Sequence, residues 1–251
     1  MHPILPEQAR VLVTGATSGV GEATARLFAS RGASVALLAR RPDELERVAE
    51  EIGERAQWFV ADVSDAGSAI AAVRAATQKL GGIDVVVNAA GVAGYATLEE
   101  LDEDLWHQVI DTNLSGTFYV SREAGLTMRA AGGGSIINVA SDLATMGVAG
   151  LAHYCAAKAG VVGLTRALAI ELAPLVRVNA VCPGPIDTPM LRSGLDQEDD
   201  PAEALRQKES TVPLNRLASP EEVARAIYFL AVEGSFATGT AMAFDGGTSA
   251  A

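Results

Sequence analysis

Short apolar runs alternate with longer stretches of helical period from one end of the chain to the other. The runs are RVLVTG at 10–15, SVALLAR at 34–40, AQWFVAD at 56–62, DVVVNAAG at 84–91, SIINVAS at 135–141, RVNAVCPG at 177–184 and AMAFDGG at 241–247. Several are apolar on successive residues instead of alternate ones, which is what a parallel strand covered by helices on both faces requires. Between them, PDELERVAEEIG, DAGSAIAAVRAATQKLG and PEEVARAIYFLAVEG repeat apolar positions at helical spacing and close on a glycine where a helix C-terminus belongs. The pattern predicts an α/β fold: a doubly wound parallel sheet of about seven strands, helices on both faces, and ligands at the carboxyl ends of the strands. One segment, 185–213, rich in Asp, Glu, Ser and Pro, breaks the alternation. It is too long for a routine connection and reads as a loop that is either a substrate lid or disordered.

Composition narrows the picture. The chain has 251 residues, 49% hydrophobic and 20% charged, with no internal repeat or linker, so it reads as a single domain over residues 1–251. Its 19 Lys and Arg against 31 Asp and Glu leave a formal charge of −12, which repels phosphate backbones and anionic membrane surfaces. Neither nucleic acid nor a membrane is expected as a partner. No basic segment leads into an apolar stretch near the N-terminus and no uncharged run is long enough to span a bilayer, so the expected location is cytoplasmic. His2, His107 and His153 share no metal-ligand spacing, and Cys155 and Cys182 stand outside any Cys/His cluster, so no metal site is expected. Both cysteines read as buried thiols, His153 as a packing or surface residue, and the acidic run DQEDD at 196–200 as a solvated face.

Two stretches carry candidate chemistry. TGATSGVG, from Thr14 to Gly21, sits between the first strand and the first helix, with glycines at Gly15, Gly19 and Gly21. Glycines there let the backbone turn sharply and approach a pyrophosphate, while the amides and dipole at the helix start favour an anion. In HYCAAK, Tyr154 and Lys158 are four residues apart on a predicted helix and share one face. A lysine ammonium beside the phenol favours the phenolate, lowers the tyrosine pKa and makes a usable general acid or base. Ser141 ends the preceding predicted strand, at the edge where ligands bind. Taken singly, each of these residues also has an ordinary structural reading, as turn, half-buried aromatic or solvated charge.

Together they resemble the short-chain dehydrogenase/reductase family over the whole chain. TGATSGVG matches the family's T-G-x-x-x-G-x-G cofactor loop, Tyr154 and Lys158 its Y-x-x-x-K pair, Ser141 its catalytic serine and Asn113 in DTNLSGTF its helix asparagine. CPGPIDT at 182–188 looks like the family's P-G turn, Asp62 and Val63 its adenine-contacting pair, and FDGG its last strand. One departure is NAAG at 88–91, where the family more often has N-N-A-G. The resemblance implies a single Rossmann-type NAD(P)-binding domain. It assigns Asn113, Ser141, Tyr154 and Lys158 to catalysis. To the cofactor it assigns Gly15, Thr17, Ser18, Gly19, Val20, Gly21, Arg40, Arg41, Asp62, Val63, Asn88, Ala90, Gly91, Tyr154, Lys158, Pro183, Gly184, Ile186 and Thr188. By the same resemblance Tyr154 passes a proton to or from the substrate oxygen, Ser141 polarises that oxygen, Lys158 lowers the Tyr154 pKa and holds the nicotinamide ribose, and Asn113 anchors a water serving Lys158.

The expected activity is hydride transfer between a nicotinamide and a small-molecule carbonyl or secondary alcohol. The alternatives are a 3-oxoacyl-(acyl-carrier-protein) reductase and, from another class, a non-catalytic dinucleotide-sensing protein. At the end of the second strand Ala39, Arg40 and Arg41 stand where an NAD enzyme has an acidic residue, and Asp43 follows Pro42 into a helix start, so NADP(H) is expected over NAD(H). The substrate pocket is expected between loops at 92–96, 142–151 and 185–213, with Leu143, Met146, Leu151, Met190 and Leu191 apolar and Asp142 and Asp187 polar. The helix carrying Tyr154 is apolar or small on nearly every side. With the family resemblance this points to a homo-oligomer, a dimer or homotetramer, formed through that helix and the one bearing Asn113, with Ala157, Gly160 and Gly163 allowing close approach.

Overall fold

A computed structural model describes residues 4–250; His2 lies outside them. Seven strands form one parallel sheet in the order β3-β2-β1-β4-β5-β6-β7. They are β1 Arg10–Thr14, β2 Ser34–Ala39, β3 Ala56–Val60, β4 Val85–Asn88, β5 Gly134–Val139, β6 Val176–Pro183 and β7 Ala241–Phe244. Register follows from the matched apolar runs: Val11 pairs with Val35 on one side and Val85 on the other.

In the inner strands alternate residues enter different cores, which is why those runs are apolar on successive residues, whereas the edge strands β3 and β7 stay partly exposed. Val11, Val13, Val35, Leu37, Val85 and Val87 pack on one face beneath α1 (Gly19–Ser30), α2 (Pro42–Ile52) and α9 (Pro220–Tyr228). Leu12, Ala36, Leu38, Val86 and Ile136 pack on the other, beneath α3 (Ala66–Leu80), α5 (Gly116–Ala131) and α6 (Ala152–Leu172). Leu37 is fully buried, and truncating such a residue to alanine costs about 2–5 kcal/mol. Between β4 and α5 runs α4 (Glu103–Ile110), joined to α5 by one π-helical turn at Asp111–Ser115.

The segment at 185–213 is not the loop that its composition suggests. It folds into α7 (Pro189–Leu195) and α8 (Pro201–Ser210). Each starts on a proline in its first turn, behind a residue whose side chain accepts amide hydrogen bonds: Thr188 from Leu191, and Asp200 from Ala202 and Glu203. Proline suits that position because its missing N–H is one that a helix start leaves unpaired anyway. The acidic run at 196–200 is exposed, as expected. Cys182 is buried but Cys155 only partly so, and both are free thiols. Among the described residues no helix is long and apolar enough to cross a membrane, and no three His, Cys, Asp or Glu are grouped to hold a metal.

The outer face of α6 is narrower than the sequence suggests. Ala157 is fully buried in the chain's own core, and a side chain on Gly160 would meet Leu114 at 2.7 Å. Of the three small residues, only Gly163 looks outward, with nothing within 4 Å of where its side chain would be. It is flanked by exposed Ala156, Ala159, Ala167 and Ile170, the last 82% exposed, and on α5 by exposed Phe118 and Leu126.

Candidate active site

Strand order reverses at β1, whose neighbours are β2 and β4, and the chain exits there leave a cleft of about 420 Å³ along the carboxyl edge of the sheet. β1 ends at Thr14, whose hydroxyl accepts the N–H groups of Ala89 and Ala90, both at 3.1 Å, and so ties the exit of β4 to its own. The two exits then nearly touch. A side chain on Gly15 would lie 2.7 Å from the Ala90 Cα, and one on Gly21 would overlap the Gly15 carbonyl. Only glycine fits at either place. α1 begins at Gly19 and Ser18 makes no side-chain cap to it, so the first amides of the helix are left for a ligand. A glycine cradle opening onto uncapped helical amides fits the pyrophosphate of a dinucleotide.

Every cofactor and catalytic residue named from the sequence lines this cleft except Asn88 and Asn113. Arg40 and Arg41 stand just past β2, both exposed, and Arg41 Nη2 reaches the Thr17 hydroxyl at 3.4 Å. Asp43 is exposed in the first turn of α2 and does not face the cleft. Asp62 and Val63 close one end, while Pro183, Gly184, Ile186 and Thr188 close the other. A side chain on Gly19 would meet the Thr188 methyl at 3.1 Å, so the approach to α7 lies against the glycine loop.

Asn88 sits below the floor, 3% exposed. Its amide donates to Ser121 Oγ at 2.9 Å and Asn138 Oδ1 at 2.8 Å, and Asn138 donates on to Thr165 Oγ1 at 2.9 Å. A cofactor contact by that side chain is therefore replaced by a polar strut between β4, β5, α5 and α6, which the sequence does not signal. Asn113 lies in the π-helical turn, 1% exposed, where its Oδ1 accepts Val92 N–H at 2.9 Å and its Nδ2 donates to Val92 O at 2.8 Å. Its side chain pins the loop after β4 beside Gly91, where a Cβ would lie 3.1 Å from Asn113 Oδ1 and 3.9 Å from Lys158 Nζ.

Ser141, Tyr154 and Lys158 do meet. Ser141 lies two residues past β5, not in it, and heads a short 3-10 turn over Asp142–Ala144. Lys158 is 5% exposed. Its Nζ donates to Val139 O at 2.8 Å and lies 5.4 Å from the centre of the Tyr154 ring. Burial acts on both partners against charge. It pushes the Tyr154 phenol up to about 12, with the Ser141 hydroxyl opposing, and pulls Lys158 down to about 8. The depressed phenol expected from the sequence is thus reversed here: desolvation outweighs the groups that favour the phenolate. At neutral pH Tyr154 is protonated and Lys158 keeps most of its charge.

His153, next to Tyr154, points away into the packing: it is fully buried and neither ring nitrogen has a hydrogen-bond partner. Met190 lines the cleft. Asp187 is occupied by a bidentate pair with Arg192, at 2.6 and 2.9 Å, so it is not the free polar end expected. Missed from the sequence were the Thr14 bridge and the Val139 carbonyl that seats Lys158. The first was legible in TGATSGVG, but a backbone carbonyl carries no side-chain signature.

Comparison with known proteins identifies the family and agrees with the fold. Residues 15–249 match the family described as Enoyl-(Acyl carrier protein) reductase. The chain is 45% identical over 244 residues to cis-4-hydroxycyclohexanecarboxylate dehydrogenase of Sinomonas cyclohexanicum, covering 95% of this chain and 96% of that one. It is 41% identical over 241 residues to the 3-oxoacyl-(acyl-carrier-protein) reductase FabG of Thermotoga maritima, covering 94% and 96%. Among solved structures, an actinorhodin polyketide ketoreductase variant with NADPH superposes with a TM-score of 0.92 at 37% identity, covering 97% of this chain and 98% of that one. Shared sequence over the whole length, the seven-stranded parallel sheet and the cleft at its reversal point lead to one conclusion: the chain belongs to the short-chain dehydrogenase/reductase family, enzymes that act on alcohol and ketone groups.

Proposed function

We propose that this enzyme uses NADP(H) in preference to NAD(H) and interconverts a small-molecule ketone and secondary alcohol with Tyr154 as general acid and base. The observation that carries the cofactor choice is the edge after β2, where Arg40 and Arg41 face the cleft and Asp43 does not. A guanidinium offers a planar fork matched to phosphate oxygens, and the acidic residue nearest in sequence, Asp43, is not among the cleft's lining residues. The glycine loop and the start of α1 would hold the pyrophosphate, Asp62 and Val63 the adenine, and the turn from Pro183 to Thr188 the nicotinamide end. When bound, the nicotinamide supplies or accepts hydride.

The rest falls to the chain. Tyr154, protonated at neutral pH, gives its proton to an oxygen that gains charge as a carbonyl is reduced, and takes it back in the reverse direction. Lys158, held by Val139 O, keeps a positive charge below the phenol and favours that transfer. Asn113 fixes the loop that floors the site. The α7–α8 segment walls the substrate side and acts as its lid. A site carrying a positioned phenol, ammonium and hydroxyl argues against a protein that merely senses dinucleotide. We place the enzyme in the cytoplasm, where its free thiols stay reduced. Reduction of 3-oxoacyl groups on carrier protein is the second reading, favoured by the likeness to FabG.

The test measures kcat/KM for NADPH and NADH, in wild type and Arg40→Ala, across ketones, sugars, 3-oxoacyl thioesters and their alcohols. Wild type is expected to favour NADPH, and Arg40→Ala to lose at least about tenfold of that preference, the scale of one charge-assisted hydrogen bond to phosphate. Equal use of both cofactors by wild type would overturn the assignment.

A further inference from the structure

Beside Ser141 stands a carboxylate for which the mechanism above has no use. Asp142 is 7% exposed. Its Oδ1 receives the Ser141 hydroxyl at 2.8 Å and the Leu143 N–H at 2.8 Å, and Leu143 N–H also points at Ser141 Oγ at 3.2 Å. Around it lie Tyr154 on α6, Lys208 on α8, Asp245 after β7 and the Cys182 thiol on β6.

A serine hydroxyl has one hydrogen and two lone pairs. Oδ1 already accepts the Leu143 N–H, so the hydrogen in the Ser141–Asp142 bond comes from the serine. One lone pair of Oγ meets Leu143. What remains for the side lined by Tyr154 is the second lone pair, an acceptor. Tyr154, protonated and hydrogen-bonded to Ser141, is then the donor to that lone pair, and a ligand that enters takes its place between the two groups. One donor and one acceptor match an alcohol, which both gives and takes a hydrogen bond. They do not match a ketone, which only accepts.

We propose that Asp142 is a positioning residue that acts through Ser141, holding the serine proton so that the cleft presents an acceptor and binds the alcohol in preference to the ketone. A ketone has to recruit the Ser141 hydrogen away from Asp142, which makes reduction begin from a rearranged hydroxyl. The inference rests on the oxidoreductase reading of the same cleft.

The test uses dead-end complexes, in which binding is read without chemistry: cyclohexanol with NADPH-loaded enzyme and cyclohexanone with NADP⁺-loaded enzyme, titrated by calorimetry. Asp142→Ala frees the Ser141 hydroxyl, and the ratio Kd(ketone)/Kd(alcohol) is expected to fall by at least about fivefold, the worth of one net hydrogen bond. Asp142→Asn keeps an acceptor oxygen where Leu143 N–H demands one. It should hold the ratio within about twofold of wild type. In a Ser141→Ala background the Asp142→Ala effect should vanish. An unmoved ratio in Asp142→Ala, an alanine-like shift in Asp142→Asn, or a shift that persists without Ser141 overturns the inference. The functional reading stands or falls separately, on turnover and on Arg40→Ala.

Discussion

At Tyr154 two influences compete. Burial favours the phenol and the hydrogen bond with Ser141 favours the phenolate; burial dominates, leaving the group near 12. In the mechanism we propose, a phenol so shifted carries its proton at neutral pH, and removing the hydroxyl removes the proton transfer. Tyr154→Phe is expected to lower turnover by at least about a hundredfold, the usual scale of a lost general acid, while the Kd for NADPH changes little. Steady-state rates beside a cofactor titration check both halves, and near-wild-type turnover in the variant would refute the role. That Ser141, Tyr154 and Lys158 line one cleft was legible in the sequence through the i,i+4 spacing of the last two and the family motif that includes all three. Asn88 was not, because nothing in one sequence distinguishes an asparagine that faces a ligand from one bonded to Ser121 and Asn138 beneath the floor. The sign of the Tyr154 shift was not legible either, since desolvation depends on what packs around the ring.

Among the elements, the strands were predicted at nearly their observed places: the five inner ones, β1, β2, β4, β5 and β6, are buried on both faces and so are apolar on successive residues, and the edge strands β3 and β7, which are only half-covered, still carry enough apolar positions to show. Their ends were overextended. RVLVTG, SVALLAR and SIINVAS each carry one or two residues past the last sheet partner, and those residues, Gly15, Arg40 and Ser141, belong to the cleft. Helices α7 and α8 were hidden by an acidic, serine-rich composition, although Thr188-Pro189 and Asp200-Pro201 spelled out both starts. The tightest local demand lies between the glycine loop and α1, where any side chain on Gly21 collides with the Gly15 carbonyl, a backbone atom that cannot turn aside. Gly21→Ala is expected to destabilise the fold by about 1–3 kcal/mol as an overpacked site does, and to weaken NADPH binding at least about tenfold by displacing amides that point at the phosphates. Thermal unfolding with and without NADPH reads both, and binding at wild-type strength would show that the loop tolerates a wider turn.

For the whole molecule, the exposed stripe of Ala156, Ala159, Gly163 and Ile170 on α6, with Phe118 and Leu126 on α5, leaves apolar surface on one side of the sheet. Monomers seldom carry such a face uncovered, and small residues at helical spacing let a second copy come close. Wild type is expected to be a dimer or tetramer in light scattering at micromolar concentration, and Ile170→Arg to shift it towards monomer by burying an unpaired charge. A wild-type monomer would refute the assembly. The amphipathic pattern alone did not separate Gly160 and Ala157, which the chain uses for its own packing, from Gly163.

The hydroxyl of Thr14 joins amides 75 and 76 residues further along the chain, and this long reach bears on the order of events during folding. Until β4 has docked beside β1 across that separation, there is no cradle, however well the glycine loop is formed locally, because closing such a loop must precede the contacts that stabilise it. Any dinucleotide bound by this cradle therefore requires β4 already docked beside β1. Arg40 and Arg41, to which we assign the choice of cofactor, by contrast stand just past β2 and take no part in that closure. Evolution can retune Arg40 and Arg41 without disturbing assembly, whereas a change at Thr14 alters folding and binding together.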